Sequence, residues 1–196
     1  RLDVALANGL RLIQLRDKTL PEDVRLTLAR ETVRRAHLHG ARVLVNGNAK
    51  LAHAAGADGV HLDSSAAARL AARPDYAEAD GFLIGVSCHD GAELAHAAEI
   101  GADFALLSPV LPTLTHPGAA TLGWETFSTL AANSPIPVYG LGGLTAADVG
   151  LAQSHGAHGV ALLRVTQSPL LKQGKAYSLS ITNGKVKATP SLGLDR

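Results

Sequence analysis

KLAHAAGADGVHLD at residues 50–63, ELAHAAEIGADFALLS at 93–108 and LAQSHGAHGVALL at 151–163 are three versions of one phrase. Each reads as an Ala/Leu-rich helix, a glycine able to take the left-handed helix-ending conformation, and a short apolar strand. The second half of the phrase recurs from Gly9 to Arg16 and from Gly40 to Asn46. Gly9, Gly56, Gly101 and Gly156 stand 47, 45 and 55 residues apart, about two strand-plus-helix units each. Further strands at 82–88 and 137–142 fall between them. The chain is therefore expected to repeat a βα unit.

Working outward, the expected strands are 10–16, 42–46, 59–63, 82–88, 104–109, 137–142 and 159–164. They are nearly continuous apolar runs, as parallel strands are when both faces are covered, and the segments between them are long enough for right-handed helical crossovers. A doubly wound open sheet satisfies this much. Polar residues at the C-terminal end of nearly every strand favour a closed (β/α)8 barrel instead, since barrels assemble a site from all their loops whereas open sheets use one switch point. Those residues are Gln14, Arg16, Asn46, His61, Ser87, Ser108 and Gly142. One barrel domain is expected over 1–164, followed by a tail over 165–196.

That tail contains AYSLSITNGKVKAT, whose alternation around Asn183-Gly184 reads as a hairpin. The chain opens on RLDVALANG, a helix with no strand before it. Residues 177–182 are therefore also a candidate for the missing first barrel strand, between 10–16 and 159–164, which would make the chain a circular permutant. Both readings stay open here.

The formal charge is +1, from 18 Lys and Arg against 17 Asp and Glu, which leaves no basic excess for nucleic acid. At 46% hydrophobic and 18% charged, the chain has enough apolar surface for a core and too little charge for disorder. No apolar stretch approaches the roughly 18 residues of a membrane span, and no signal-peptide pattern opens the chain, so the expected compartment is the cytoplasm. The absence of Met, even at position 1, implies processing, truncation or rearrangement. Cys88, the single cysteine, rules out internal disulfides and paired-cysteine metal sites. The nine histidines show no ligand spacing, and Cys88 and His89 diverge at a strand end rather than forming a nucleophile and base.

Three segments carry chemistry. Along QLRDK, Gln14, Arg16 and Lys18 alternate to one face and offer a fork, a point charge and a neutral donor to phosphate oxygens; a solvated strand end is the other reading. YGLGGLTAAD at 139–148 is a strand, a Gly-Gly turn and a helix starting at Thr145 with Asp148 at capping-box spacing. Gly142 and Gly143 there could let backbone amides approach a phosphate, or make an ordinary turn. SPVLPTLTHPG at 108–118 is a proline-defined loop carrying Thr113, Thr115 and His116.

In order and spacing, QLRDK, the Asn46 turn, GADGVHL, IGVSCHD, GADFALLSPVLPTLTHPG and PVYGLGGL resemble the thiamine phosphate synthase and thiazole tautomerase superfamily over about residues 1–164. SCHD, ELAHA, SPVLPT, HPGA and LGWE are most similar to the synthase-like domain that some bacteria fuse behind a Nudix hydrolase, which makes such a domain an expected partner. The resemblance implies a transferase in which a pyrimidine diphosphate ionises and a thiazole phosphate nitrogen captures the cation. By position, Gln14, Arg16 and Lys18 would hold pyrophosphate, Asn46 and His61 would line the pyrimidine pocket, and Ser87 would touch substrate. Thr113, Thr115, Gly142 and Gly143 would bind phosphate groups. His116 stands where the family has a lysine and joins Gln14, Arg16 and Lys18 in the catalytic set.

Other positions depart from the family pattern. Gly47 and Ala66 occupy the places of both magnesium carboxylates, Arg164 replaces a phosphate-contacting serine, and the tautomerase branch has a histidine where this chain has Pro109. Arg164 could supply fixed charge to a phosphate in place of part of the metal's role. The resulting expectation is a barrel that binds phosphorylated small molecules, has a degenerate metal site and retains weak or no transferase activity. The alternatives are an active synthase using magnesium, or a non-catalytic ligand-binding or structural domain, with a homo-oligomer allowed.

Overall fold

In the computed structural model, residues 2–7, 9–17, 19–113, 118–162, 176–182 and 185–191 are described, the last two stretches by backbone. Lys18, Thr115, His116, Arg164 and the Asn183-Gly184 turn lie outside them.

The seven apolar runs become β1 (Leu10–Leu15), β2 (Arg42–Asn46), β3 (Gly59–Leu62), β4 (Leu83–Cys88), β5 (Phe104–Leu107), β6 (Val138–Leu141) and β7 (Gly159–Ala161). Every neighbouring pair from β1 to β7 is parallel. The sheet closes into a barrel, which excludes the doubly wound alternative. Alternation along each strand produces two apolar layers. Leu12, Leu44, Leu83, Phe104, Leu106 and Tyr139 pack together inside the barrel. Ile13, Val43, Val60, Ile84 and Val160 face outward and share a larger core with helix residues such as Ala29, Ala52 and Phe127.

That outer core is covered by α1 (Leu2–Ala7), α2 (Glu22–His37), α3 (Ala49–Ala55), α4 (Ser64–Ala67), α5 (Gly91–Glu99), α6 (Gly123–Ala132) and α7 (Val149–Ser154). The crossovers are shorter than expected after β3, where α4 is four residues long, and after β6, where a 3-10 turn at Ala146–Asp148 precedes α7. In the first repeat Gly56 ends α3 at φ +67, and its N–H bonds back to Ala52 and His53 carbonyls. No helix among the described residues is long and apolar enough to cross a membrane.

The aspartate of the GAD phrase has a structural task that the sequence reading missed. Val43 N–H donates to Asp58 Oδ2 (2.7 Å), while Asp58 N–H donates to the Val43 carbonyl (2.8 Å). Asp103 makes the same bracket with Ile84, both bonds at 2.8 Å. Each carboxylate satisfies a strand N–H near the start of the neighbouring strand. Arg73 ties this end of the barrel further by donating to the Gly101 and Phe82 carbonyls and to Asp103.

The tail supplies β8 (Ala176–Thr182) and β9 (Lys185–Ser191). β8 runs parallel to β1, with Leu15 opposite Ile181, and β9 lies antiparallel between β8 and β7. The barrel thus has nine strands among the described residues rather than eight, and the appended-hairpin and barrel-strand readings describe one object. Two residues between strands permit only an antiparallel return, so a tail entering as a hairpin must bring β9 with it.

Candidate active site

A parallel barrel delivers all its strand C-termini to one rim. Because Leu12, Leu44 and Leu83 face inward, Gln14, Asn46 and Ser87, two or four residues further on, face the interior near that rim. Asn46 stands opposite His61 in the register of β2 and β3, and Asn46 Nδ2 donates to the His61 carbonyl at 3.3 Å. His61, only 2% exposed, shares a 2.9 Å hydrogen bond between its Nε2 and Ser87 Oγ. Gly85 makes room for this ring: a Cβ there would lie 2.5 Å from Phe104 and 2.7 Å from His61 Nδ1.

Burial pushes the His61 imidazole down to about 4, the Arg16 charge adds to the effect, and Asp63 opposes it. His61 is therefore a neutral hydrogen-bonding ring, and Arg16 is near enough to act on it electrostatically. Gln14 and Arg16 are half-buried at the end of β1. These five residues, expected from sequence, gather on one rim. Lys18, Thr115, His116 and Arg164 fall outside the described residues, and Thr113 sits half-buried in the loop after β5.

The Gly-Gly turn packs against the loop after β5. Val110 and Leu111 N–H groups donate to the carbonyls of Leu141 (2.9 Å) and Gly142 (3.0 Å), zipping the loops after β5 and β6 together. Gly142 has φ +96, and a Cβ there would lie 2.8 Å from that of Pro109; on Gly143, at φ +70, it would lie 2.6 Å from the Pro112 carbonyl oxygen. Backbone packing thus already requires both glycines. The capping box at Thr145 and Asp148 forms as expected: the Thr145 N–H donates to Asp148 Oδ2 at 2.7 Å and the Ala147 N–H to Thr145 Oγ1 at 3.3 Å.

Cys88 is buried, and burial first, with Glu93 and Asp90 adding, pushes its thiol up to about 12. His89 Nδ1 instead bonds the Ser108 carbonyl at 2.8 Å, so the two do not make a catalytic pair.

A hard cation needs several oxygen ligands, and the described residues of this rim do not assemble them. Position 47 is glycine and position 66 is alanine, while Asp63 Oδ1 receives the Ala66 N–H (2.9 Å) as the cap of α4. Among the described residues no three His, Cys, Asp or Glu side chains cluster closely enough to hold a metal.

Sequence reading also missed Asp17. It is 7% exposed, and its Oδ1 accepts from Thr19 N–H (2.8 Å), Thr19 Oγ1 (2.8 Å) and Leu20 N–H (3.1 Å). With Asn46, Arg25 and apolar residues it lines a small cavity of about 10 Å³. The only sequence signal was the acidic residue between Arg16 and Lys18 in QLRDK.

The family model described as thiamine monophosphate synthase matches residues 1–165. The chain belongs to the thiamine monophosphate synthase family. It is 44% identical over 163 residues to a Geobacter sulfurreducens protein provisionally named a thiamine-phosphate synthase, covering 81% of this chain and 74% of that protein. It is 39% identical to the thiamine-phosphate synthase of Chromobacterium violaceum, covering 81% and 76%. Among solved structures, thiamine phosphate pyrophosphorylase from Pyrococcus furiosus shares the fold, with a TM-score of 0.66 at 24% identity over 80% of this chain and 74% of that one.

Proposed function

We propose that this family member is a thiamine-phosphate synthase acting at the C-terminal rim of its barrel. The observation that carries the reading is the meeting of Gln14, Arg16, Asn46, His61 and Ser87 on that rim in a chain of this family. In the reaction the bond from the pyrimidine methylene carbon to the diphosphate oxygen breaks, its electron pair leaves with pyrophosphate, and the thiazole nitrogen forms the new bond to that carbon. Gln14, Arg16 and Lys18 hold the departing pyrophosphate, and Asn46, His61 and Ser87 hold the pyrimidine. A neutral His61 suits this arrangement, because an imidazolium beside the developing carbocation would oppose ionisation. Thr113, with Thr115, His116 and Arg164, is assigned to the phosphate of the second substrate. The phrases shared with Nudix-fused domains make a Nudix hydrolase the proposed partner.

Gly47 and Ala66 favour a second reading, a barrel that binds phosphate esters but turns over slowly. Donors that grip the ground-state diphosphate as tightly as the departing one lower no barrier. Calorimetric titration of the full chain with pyrophosphate, thiazole phosphate and thiamine phosphate tests the site common to both. Binding below millimolar, weakened in Arg16→Ala, is expected; no binding, or an unchanged affinity in Arg16→Ala, contradicts it.

A further inference from the structure

We propose that Asp17 is the positioning residue of the anion site: its buried carboxylate holds the turn after β1 in the conformation that presents Arg16 to a diphosphate. The inference rests on the site reading above. A carboxylate that is 7% exposed must find hydrogen bonds, and Oδ1 finds three within the next three residues. Bonds from an aspartate to backbone N–H groups two and three residues ahead impose a turn, here at Thr19 and Leu20, just before α2 begins at Glu22.

Asp17 shares its cavity with Leu15 and Val45, which belong to the core between the strands and the helices, and with Leu28 of α2 and Leu51 of α3. Alternation beyond Leu15 continues to Asp17 on the helix-facing side of the sheet, while Gln14 and Arg16 continue the inward face. By charge alone, a carboxylate one residue along the chain from the arginine that receives an anion works against binding. Its bonded geometry gives it the opposite effect, because a fixed turn removes freedom that Arg16 would otherwise lose on binding.

The test is calorimetric titration of pyrophosphate into the full chain, with thermal melting as the check on folding. Asp17→Asn keeps the accepting oxygen and removes the charge, so its affinity is expected to equal or exceed the unsubstituted protein's. Asp17→Ala removes both and is expected to weaken binding about fivefold to tenfold. In an Arg16→Ala background the Asp17→Ala change should add no further loss. If Asp17→Ala does not fold, Asp17→Ser, whose shorter hydroxyl satisfies fewer of the turn donors, replaces it with an intermediate loss expected.

An Asp17→Asn loss as large as that of Asp17→Ala assigns a charge role and overturns the inference. So does a full Asp17→Ala loss persisting in Arg16→Ala, or unweakened binding in Asp17→Ala while Arg16→Ala is impaired. An Arg16→Ala variant that binds as tightly as the unsubstituted protein overturns the anion site itself, and this inference with it.

Discussion

His61 is where burial, charge and proposed chemistry meet. The folded protein holds its imidazole at about 4 against an ordinary value of 6.5, chiefly because the ring is buried. The unfolded chain therefore binds a proton between pH 6.5 and 4 that the folded one refuses. Stability is full above about 6.5 and declines as pH falls toward 4, by roughly 3 kcal/mol across the whole interval. Urea unfolding from pH 7 to pH 4.5 should show this loss, and His61→Gln, which does not titrate, should show a shallower one; equal slopes would refute the assignment. Five of the rim residues were legible in sequence because polar positions at strand ends two apart must share a face. Asp17 was not, because an acid between two cations reads as a solvated ion-pair partner until the turn at Thr19 and Leu20 is seen.

Strands and helices were legible through the repeated phrase, whose period reflects one physical unit. Two features of the elements were not. The Asp58 and Asp103 brackets depend on which strand lies alongside, and this is a property of the closed sheet. In the third copy of the phrase His158 keeps only the backbone bond, from its N–H to the Val138 carbonyl at 2.8 Å. Asp103→Ala leaves the Ile84 N–H without its acceptor and removes one of the bonds that hold Arg73, so it should cost about 1–3 kcal/mol. Asp103→Asn, which keeps an accepting oxygen, should cost less. Chemical denaturation of the two variants checks the order, and equal stability of Asp103→Ala and the unsubstituted protein would contradict the bracket.

At the scale of the whole molecule, closure depends on the tail. β8 pairs along β1, and β9 meets β7 at Gly159 and Ser191, so removing them exposes the edges of β1 and β7. A chain ended at residue 165 is expected to unfold at a lower denaturant concentration and to self-associate through those edges. An unchanged midpoint and a monodisperse sedimentation profile would show that closure does not contribute. The β9 insertion was illegible beforehand because strand order around a barrel is set by long-range pairing, while sequence alternation reports only that a hairpin exists. Under the proposed function, Gln14 and Arg16 at the end of β1 act with His61 of β3 and Ser87 of β4 on this one rim. The most direct test of that claim is an assay of thiamine phosphate formation from the pyrimidine diphosphate and thiazole phosphate with magnesium. It would be run on the unsubstituted chain, Arg16→Ala and the Gly47→Asp/Ala66→Asp double variant. Turnover by the unsubstituted chain that falls at least tenfold in Arg16→Ala is predicted. Absence of product from the unsubstituted chain, with a magnesium-dependent gain only in the double variant, would contradict the synthase reading and leave a phosphate-binding barrel.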